Sequence, residues 1–583
     1  KAMTTITEAL SQRILCLDGA MGTAIQARDL SPDDFGGEEF DGCNENLNLT
    51  RPDVIADIHR EHLEAGADII ETNTFGSTAL VLAEYPPLQE QAHEITLAAA
   101  RIAREQADAF SSAERPRFVA GSMGPTTKAI SVTGGVTFEE LRSTFEDQAA
   151  SLIEGGVDYL LIETAQDTRN IKAAVMGCRA AFDRLGREVP VAVSGTIEPM
   201  GTMLAGQTAD ALAVSLEHVD LLYLGLNCAT GPDFMTDHLR AIAEIAHTRI
   251  ACVPNAGLPD EDGNYLESPE MIARVLERFV DEGWLNLVGG CCGTTGAHIR
   301  ALAKMVEGKA ARSLPTEHAT RVSGLETVEF TEDGGVLFVG ERTNSLGSRK
   351  FKRLIAEGEF EAASEIARAQ VGKGAHIIDV CLQNPDRDEA ADMRLFLDQV
   401  IRKVKAPLMI DSTDAEVIEL ALTYSQGKAI INSINLEDGL ERFEQVVPMA
   451  RRYGAALIVG CIDEDPDQGM AVTRDRKLEV AQRAYLHLTR DFGVPPTDLI
   501  FDPLVFPCAT GDANYLGSAR ETIEGLRLIK QVQPECKTVL GISNVSFGLP
   551  PAGREVLNSV FLYHCTKAGL DLAIVNTEKL ERY

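Results

Sequence analysis

The chain has 583 residues, 45% of them hydrophobic and 24% charged, which is typical of a globular protein too long for a single hydrophobic core. Its net charge of −34 argues against nucleic acid or an anionic membrane as the main partner, because phosphate groups are bound by clustered Lys and Arg. No run approaches the ~20 apolar residues of a membrane span and the N-terminus lacks the apolar core of a signal peptide, so we expect a cytoplasmic protein with reduced cysteines.

An amphipathic helix that ends at glycine, followed by a short apolar strand that stops at a polar residue, recurs along the chain. The first clear case begins at Pro52: apolar residues at helical spacing precede Gly66, and a short apolar run then leads into Glu71. These strands are apolar throughout, which is typical of parallel strands that are buried on both faces.

We predict about eight such strands in each half, the number that closes a barrel, so the expected fold class is α/β with two tandem (β/α)8 barrels. The strands predicted in the first half are Ile14–Asp18, Asp68–Asn73, Phe118–Ser122, Tyr159–Glu163, Val191–Ser194, Leu221–Asn227, Ile250–Asn255 and Leu285–Gly290. Those predicted in the second half are Val336–Gly340, Ile377–Val380, Leu408–Asp411, Ala429–Asn432, Ala456–Gly460, Leu499–Asp502, Thr538–Ser543 and Leu572–Asn576. Residues 308–325 have little apolar pattern and are predicted to link a first domain, 1–307, to a second, 326–583.

Three cysteines follow predicted strands of the first half, Cys228 after the sixth and the pair Cys291 and Cys292 after the eighth. Loops after the carboxyl ends of barrel strands meet at one mouth, where the chemistry of such barrels takes place. Three thiolates suit zinc, and a catalytic zinc ion has three protein ligands with the fourth position left for water or substrate. Buried structural cysteines are the alternative, because the spacing contains no Cys-x-x-Cys pair and favours zinc only weakly by itself.

The first half resembles the homocysteine S-methyltransferase family over residues 14–305, in the stretches Leu17–Thr23, Glu71–Phe75, Gly225–Cys228 and Gly289–Thr294. The resemblance implies that Cys228, Cys291 and Cys292 hold zinc. It also implies that the amino-acid end of homocysteine is bound by Asp18, Gly19, Thr72 and Glu163. Acidic groups at strand ends suit an ammonium group, although each carboxylate could instead cap a loop or pair with an arginine.

Asn255 is the last residue of the seventh predicted strand and is a candidate for a labile fourth zinc ligand. An Asn followed by Ala-Gly is equally suited to structuring a loop, so both roles stay open.

The second half carries no comparable set of metal ligands, but its strands end in side chains that suit a pterin. A carboxylate pairs with the N–H donors on the edge of a pterin, and Asn suits a mixed pattern of donors and acceptors; Asp411, Asn432 and Asp502 are of these types. The stretches Gly340–Asn344, Met409–Ser412, Ile431–Ser433 and Gly541–Pro550 resemble the pterin-binding methyltransferase family, over residues 326–583.

This second resemblance implies a folate site formed by Glu341, Asp411, Asn432, Asp502 and Asn544, with Arg554 near the glutamate side of the folate. The chain departs from the family at one point. Cys381 stands where an Asn is expected after Asp379-Val380, and Asn384 follows shortly after.

Together the two resemblances imply a methyltransferase that moves a methyl group from 5-methyltetrahydrofolate via cobalamin to zinc-activated homocysteine, giving methionine and tetrahydrofolate. Asn544 would help to polarise N5 of the folate. No Asp-x-His-x-x-Gly stretch that would supply a corrinoid ligand is found, so we expect a fragment that relies on the cobalamin-binding and reactivation domains of a longer protein. The alternatives are a homocysteine S-methyltransferase fused to a flavin-dependent folate reductase barrel, and a non-catalytic methyl-donor-binding module with structural zinc.

Overall fold

The computed structural model describes residues 3–579, which form two compact units. The first unit holds the residues up to Ala213 together with Val219–Thr316, and the second holds Val214–His218 together with the residues from Glu317 onward. Each unit contains an eight-stranded parallel sheet, which confirms the predicted α/β class with two (β/α)8 barrels. No helix among residues 3–579 is long and apolar enough to cross a membrane.

In the first barrel each strand pairs in parallel with the next one along the chain, apart from the first two strands. A parallel bridge between Leu17 and Ile69 joins those two. The strands are β1 (Leu15–Cys16), β2 (Ile69–Glu71), β3 (Phe118–Met123), β4 (Tyr159–Ala165), β5 (Val191–Gly195), β6 (Leu224–Asn227), β7 (Ile250–Val253) and β8 (Leu287–Val288). β1 and β8 are shorter than predicted, because the chain leaves the sheet early there to form the loops described below.

The helices of the first unit lie between these strands. They are α1 (Ile6–Gln12), α2 (Gly22–Gln26), α3 (Leu47–Thr50), α4 (Pro52–Ala65), α5 (Ala79–Leu82), α6 (Pro86–Gln89), α7 (Ala92–Phe110), α8 (Phe138–Glu154), α9 (Thr168–Leu185), α10 (Ala209–Ser215), α11 (Thr236–Ile245), α12 (Pro269–Asp281) and α13 (Gly296–Met305). α4 shows how the sequence sets the boundaries: Pro52 takes the first helical position, and Gly66 ends the helix with a φ of 113° that favours glycine.

The interior of the first barrel is a packed core rather than a channel. Tyr159 and Tyr223 lie fully buried inside it, with their rings edge to face and their hydroxyl oxygens 2.8 Å apart. Each hydroxyl satisfies the other, so neither phenol is left without a hydrogen-bond partner in the apolar interior. The polar loops at the carboxyl ends of the strands therefore stand on a rigid base.

The second barrel closes completely, with each strand paired to its neighbours and the last strand paired to the first. Its strands are β11 (Leu337–Gly340), β12 (Ile377–Val380), β13 (Leu408–Asp411), β14 (Ala429–Ile434), β15 (Ala455–Gly460), β16 (Leu499–Asp502), β17 (Lys537–Gly541) and β18 (Leu572–Val575). Its helices are α14 (Arg349–Ala356), α15 (Phe360–Gly372), α16 (Glu389–Val400), α17 (Ala415–Leu422), α18 (Glu441–Tyr453), α19 (Arg474–Leu486), α20 (Ser518–Val532) and α21 (Pro551–Lys567).

β17 stops at Gly541, two residues before the predicted end, and a short 3-10 helix, Ile542–Ser546, follows it. The carbonyl of Ser543 accepts hydrogen bonds from Arg554 and from the Ser546 hydroxyl instead of joining the sheet. These side-chain donors turn the chain across the mouth of the barrel.

Part of the segment predicted as a linker, residues 308–325, has regular structure. β9 (Arg321–Ser323) pairs with β10 (Thr327–Glu329) in an antiparallel hairpin, and Val322 is buried in the core of the second barrel. The last residues of the segment therefore belong to the second unit.

Candidate functional site

The three cysteines predicted as metal ligands come together at the mouth of the first barrel. The sulfur atoms of Cys228, Cys291 and Cys292 all lie within 4.8 Å of one another. A tetrahedral zinc ion with Zn–S bonds of about 2.3 Å keeps its sulfur ligands about 3.8 Å apart. The spacing and the chemistry of the three thiols therefore fit zinc.

Backbone geometry on two loops presents these sulfur atoms. Cys228 and Ala229 both adopt positive φ angles, 62° and 54°, which side-chain-bearing residues rarely adopt. On the other loop, a β-carbon at Gly293 would lie 2.3 Å from the side chain of Tyr265, so only glycine fits beside the cysteine pair. Left-handed residues of this kind persist where surrounding contacts hold them, and they are frequent at functional sites.

Asn255 lies next to the cysteine pair, where its side-chain oxygen accepts a 3.0 Å hydrogen bond from the backbone N–H of Cys292. This contact supports the loop-structuring role, and the role as a labile fourth ligand stays a prediction.

Asn227, which the sequence did not single out, donates to the sulfur of Cys291 over 3.9 Å and also bonds to Thr164 and Ser194. A polar group beyond the ligands that orients them is usual in metal sites.

The thiols perturb each other. Hydrogen bonds from the Cys228 and Cys291 thiols lower the pKa of Cys292 to about 3, while the pKa of Cys291 is raised by its contacts with the other two sulfur atoms and by burial. These contacts favour a thiolate at Cys292 and the protonated thiols at Cys228 and Cys291. A divalent cation would remove this conflict by stabilising all three as thiolates.

Three acidic side chains form a second cluster in the same barrel. Asp18 and Glu163 were predicted, and Glu71, at the end of β2, joins them with its carboxyl group in contact with both. One oxygen of Asp18 accepts the backbone N–H of Glu71 at 3.0 Å, whereas its other oxygen and one oxygen of Glu71 have no hydrogen-bond partner. Buried acceptors without donors suit a ligand that brings N–H groups.

Burial raises the pKa of all three carboxyl groups, and the charge of Glu163 raises those of Asp18 and Glu71 further. The nearest imidazole, His62, has a ring nitrogen 4.0 Å from Asp18, but burial lowers its pKa to about 4, so it is neutral at pH 7. Binding a cation would restore the ordinary ionisation of the cluster.

Gly19 and Thr72, the other two residues predicted to bind homocysteine, lie next to Asp18 and Glu71 of this cluster. A β-carbon at Gly19 would lie 2.9 Å from His62 and 3.2 Å from the Thr294 hydroxyl, so the backbone there can be approached closely only because the residue is glycine. The hydroxyl of Thr72 lies 2.7 Å from that of Thr74 and accepts the N–H of Ser122 at 3.0 Å. Thr72 therefore holds the loop after β2 against β3.

The second barrel has a cavity of about 340 Å³ at its mouth. It gathers all five residues predicted to bind folate within the barrel, which are Glu341, Asp411, Asn432, Asp502 and Asn544. Arg554 lies apart, on a neighbouring cavity of about 490 Å³ that shares Glu341 and Asn544 with the first. Its guanidinium donates to Ser546 and to the carbonyl of Ser543, so it braces the loop after β17.

Asp379 and Asn344 also line this cavity at the mouth of the second barrel, although the sequence did not assign them to a site. The Asn344 amide donates to Asp379 at 3.0 Å and to Asp411 at 3.5 Å, and the second oxygen of Asp379 has no partner. Cys381, two residues further on, is fully buried and does not line the cavity. The strand β12 thus presents Asp379 rather than the residue at 381.

The pKa values of the carboxyl groups in this cavity are raised above their ordinary values. Burial raises the pKa of Asp411 to about 6, and burial together with the charge of Asp411 raises that of Asp379 well above its ordinary value. Burial likewise raises the pKa of Asp502 to about 6, against the lowering effects of the Leu504 N–H and of Lys477. The pKa of Glu341 is also raised by burial. A cavity with several poised carboxyls suits a ligand with a row of N–H donors.

These features define a two-barrel α/β protein in which one barrel presents a thiol cluster beside buried acids and the other an acid-lined cavity. Residues 15–306 match the homocysteine S-methyltransferase family, which covers half of the chain, and the chain belongs to that family. Residues 340–576 match the family of pterin-binding enzymes.

Two curated relatives are each about twice as long as this chain. The chain is 41% identical to methionine synthase of Mycobacterium tuberculosis and 40% identical to methionine synthase of Mycobacterium leprae, over 99% of its own length and 48% of theirs. It therefore spans about half the length of these relatives.

Among solved structures, the metallated form of homocysteine methyltransferase MmuM from Escherichia coli is 23% identical, with 50% of this chain and 96% of that chain covered and a TM-score of 0.42. Dihydropteroate synthase from Xanthomonas albilineans in complex with 7,8-dihydropteroate is 14% identical, with 42% and 90% covered and a TM-score of 0.31. These TM-scores are too low to support a fold assignment, and the two barrels are shown directly by the strand order of the sheets.

Proposed function

We propose that the chain binds the two substrates of a cobalamin-dependent methionine synthase. Its first barrel would bind homocysteine on zinc and its second would bind 5-methyltetrahydrofolate, with cobalamin as the methyl carrier between them. The observation that carries the proposal is the pairing, in one chain, of a three-thiol cluster beside buried carboxyls with a second, acid-lined cavity. Full-length relatives named methionine synthase at 40–41% identity support it.

In the first barrel, the sulfur atoms of Cys228, Cys291 and Cys292 would hold zinc. When bound, zinc would supply an open coordination position in which the homocysteine sulfur is kept as a thiolate at neutral pH. Asp18, Glu71 and Glu163 would bind the ammonium group, whose N–H donors would reach the oxygens of Asp18 and Glu71 that have no hydrogen-bond partner among residues 3–579. The ammonium charge would also lower the raised pKa values of the three carboxyls, so the cluster ionises as the substrate binds.

In the second barrel, Asp411, Asp502 and Asn432 would hold the pterin edge. Carboxylate oxygens accept from the pterin N–H groups, and an amide supplies one donor and one acceptor to the same edge. Burial and the charge of Asp411 raise the pKa of Asp379 well above its ordinary value, and one Asp379 oxygen, which has no partner among the described residues, would face the same edge. Asn544 would lie at N5, where its amide positions and polarises the nitrogen. N5 must gain positive charge before it can leave, because the methyl group departs without the electron pair of the C–N bond.

A methyl carrier needs a surface on which to dock at each site. Exposed apolar side chains stand on the loops after the strands of both barrels: Phe75, Phe234 and Leu266 on the first, and Leu346, Met470, Leu516 and Phe547 on the second. Solvent-exposed apolar groups around a polar cavity are typical of an interaction surface. The occupant that we propose is the cobalamin-binding domain of the full-length protein, with the reactivation domain as a further partner.

The test is to load the purified chain with zinc and measure homocysteine binding by calorimetry and folate binding by equilibrium dialysis. We expect one equivalent of zinc, homocysteine binding that depends on zinc, and folate binding that does not. Homocysteine binding of equal strength in the zinc-free and zinc-loaded chain would contradict the role of the thiols. Flavin bound to the purified chain would favour the folate reductase alternative instead.

A further inference from the structure

Lys477 is a fully buried lysine in the first turns of α19, outside the cavity of the second barrel. Its ammonium group donates to three backbone carbonyls, those of Ala471 at 2.8 Å, Leu504 at 3.3 Å and Pro503. It also lies 5.1 Å from the centre of the Phe506 ring. A charged group is rarely buried in this way unless its contacts hold something in place.

The carbonyls that Lys477 binds belong to two loops at the mouth of the barrel. Ala471 lies in the loop after β15, next to Met470, and Pro503 and Leu504 lie in the loop after β16, directly after Asp502. Met470, Asp502 and Leu504 all line the cavity, as does Phe506. One ammonium group thus ties together two walls of the proposed folate site.

The backbone at Leu504 needs such support. Its φ of 76° is a left-handed conformation that costs free energy for a residue with a branched side chain. In this conformation its N–H donates to the Asp502 carboxylate at 2.9 Å. Its carbonyl accepts from Lys477 and, at 2.8 Å, from the hydroxyl of Thr522.

We propose that Lys477 is a positioning residue of the folate site, whose ammonium group holds the loop after β16 in the conformation that orients the Asp502 carboxylate. This inference rests on the proposed function, because it takes folate as the ligand of the cavity. Lys477 does not line the cavity, so it acts through Asp502 and the backbone of Leu504.

The charges around Lys477 make this role dependent on pH. Burial lowers its pKa to about 8, and the groups that face it and oppose this are Cys461 at the end of β15, Asp502 on β16 and Glu521 on α20. In return, the Lys477 charge lowers the pKa of Asp502, which burial raises to about 6. Folate affinity should therefore fall as the pH drops through about 6, where Asp411 and Asp502 gain protons, and fall again above about 8, where Lys477 loses its charge.

The experiment measures the dissociation constant of 5-methyltetrahydrofolate from about pH 5 to about pH 9 for the full chain and two variants. Lys477→Met keeps the apolar stem and removes the ammonium group. Thr522→Val removes a hydrogen bond to the same Leu504 carbonyl without changing any charge. The ionisation of the ligand itself is common to all three proteins and cancels in the comparison.

We expect the wild type to bind folate best between about pH 6 and about pH 8. Its affinity should fall below this range, in an acid limb, and above it, in an alkaline limb. Lys477→Met should bind more weakly and lose the alkaline limb. The part of the acid limb that belongs to Asp502 should move upward by about one pH unit, the effect of removing one nearby opposite charge, while the part that belongs to Asp411 stays in place. Thr522→Val should keep both limbs. Both limbs retained in Lys477→Met, or the same shift in Thr522→Val, would overturn the inference.

Two further outcomes distinguish a failure of the role of Lys477 from a failure of the proposed folate binding. If Lys477→Met fails to fold, the wild type alone decides, since a wild-type affinity that stays constant above about pH 8 would overturn the role of the lysine charge. A wild type that does not bind 5-methyltetrahydrofolate at any pH would overturn the proposed function, and this inference with it.

Discussion

The backbone N–H of Cys292 donates a hydrogen bond of 3.0 Å to the side-chain oxygen of Asn255. The contact joins the loop after β7 to the loop that carries two of the three clustered thiols. It fixes the direction of the Cys292 backbone without using any ligand atom of the cysteine itself.

We predict that Asn255→Ala weakens zinc binding by about tenfold, in the range usual for groups that orient metal ligands. The measurement is a competition titration with a chelator of known affinity. Asn264→Ala, which changes an exposed Asn in the same loop, is the control and should leave the affinity unchanged. Equal zinc affinity in Asn255→Ala and the wild type would show that the contact does not support the site.

The cysteine cluster itself gives a separate prediction. Cys291→Ala with Cys292→Ala should abolish tight zinc binding, because a single remaining thiol cannot hold the ion, whereas folate binding by the other barrel should persist. Metal analysis after dialysis and a folate binding assay check the two halves. Cys508→Ala, at an exposed cysteine outside the cluster, should retain its zinc. Full zinc occupancy in the double variant would rule out these thiols as ligands.

Glu71 is predicted to contribute to ammonium recognition. Glu71→Gln should weaken homocysteine binding by about 1–3 kcal/mol, because it removes one charged acceptor from a buried cluster. The effect should vanish for 4-mercaptobutanoate, which keeps the thiol and the carboxylate but lacks the ammonium group. Calorimetry with both ligands on the zinc-loaded protein tests this. An equal loss for the two ligands would mean that Glu71 acts on the fold of the site rather than on the ammonium group.

In the second barrel, Asp411→Asn and Asp502→Asn should each weaken 5-methyltetrahydrofolate binding by about 1–3 kcal/mol through the loss of a charge-assisted hydrogen bond. Homocysteine binding should stay the same. Asp467→Asn, at an exposed Asp on the loop after β15, serves as the control and should bind folate normally. Unchanged folate affinity in both buried variants would place the pterin elsewhere.

The raised pKa of Asp502 also predicts an effect on stability. Its pKa is about 6 in the folded protein, above the ~3.9 of an unfolded Asp, so between these values the folded state binds more protons. The stabilising contribution of the protonated group is thus fully present below about pH 4 and is lost as the pH rises through about 6.

Asp502→Asn should therefore stabilise the folate-free protein at about pH 7.5 by about 3 kcal/mol, and the gain should disappear near pH 4. Denaturant unfolding at the two pH values measures it. A variant that is less stable than the wild type at the higher pH would show that the carboxylate is satisfied by its contacts when charged.

The sequence predicted the barrels well because each strand is an apolar run between a helix-ending glycine and a polar residue. It did not predict where β17 ends, since that depends on Arg554 and Ser546 reaching back to the Ser543 carbonyl. Nor did it distinguish Val322, which follows a polar segment yet is buried in the core. The end of β17 and the burial of Val322 depend on tertiary contacts rather than on the local sequence pattern.

Some residues of the candidate sites could likewise be predicted from the sequence, and others could not. The cysteines, Asp411, Asn432 and Asp502 were found because they lie at or after predicted strand ends, and strand ends of a barrel meet. Glu341 and Asn544 were found only through the resemblance to the pterin-binding family. Glu71 and Asp379 also follow this rule, but their roles depend on which neighbouring carboxyl each contacts. Lys477 lies on a helix with other charged residues, so nothing local shows that its ammonium group is buried.

The central claim is that this chain binds both substrates and delivers them to cobalamin. Its most direct test gives the zinc-loaded chain free cobalamin in its reduced form, 5-methyltetrahydrofolate with an isotopically labelled methyl group, and homocysteine. We predict that labelled methionine forms only when all three are present, and that Asp502→Asn and the Cys291, Cys292 double variant each slow it. No transfer of label to cobalamin or to methionine by a chain that holds zinc and binds folate would contradict the account.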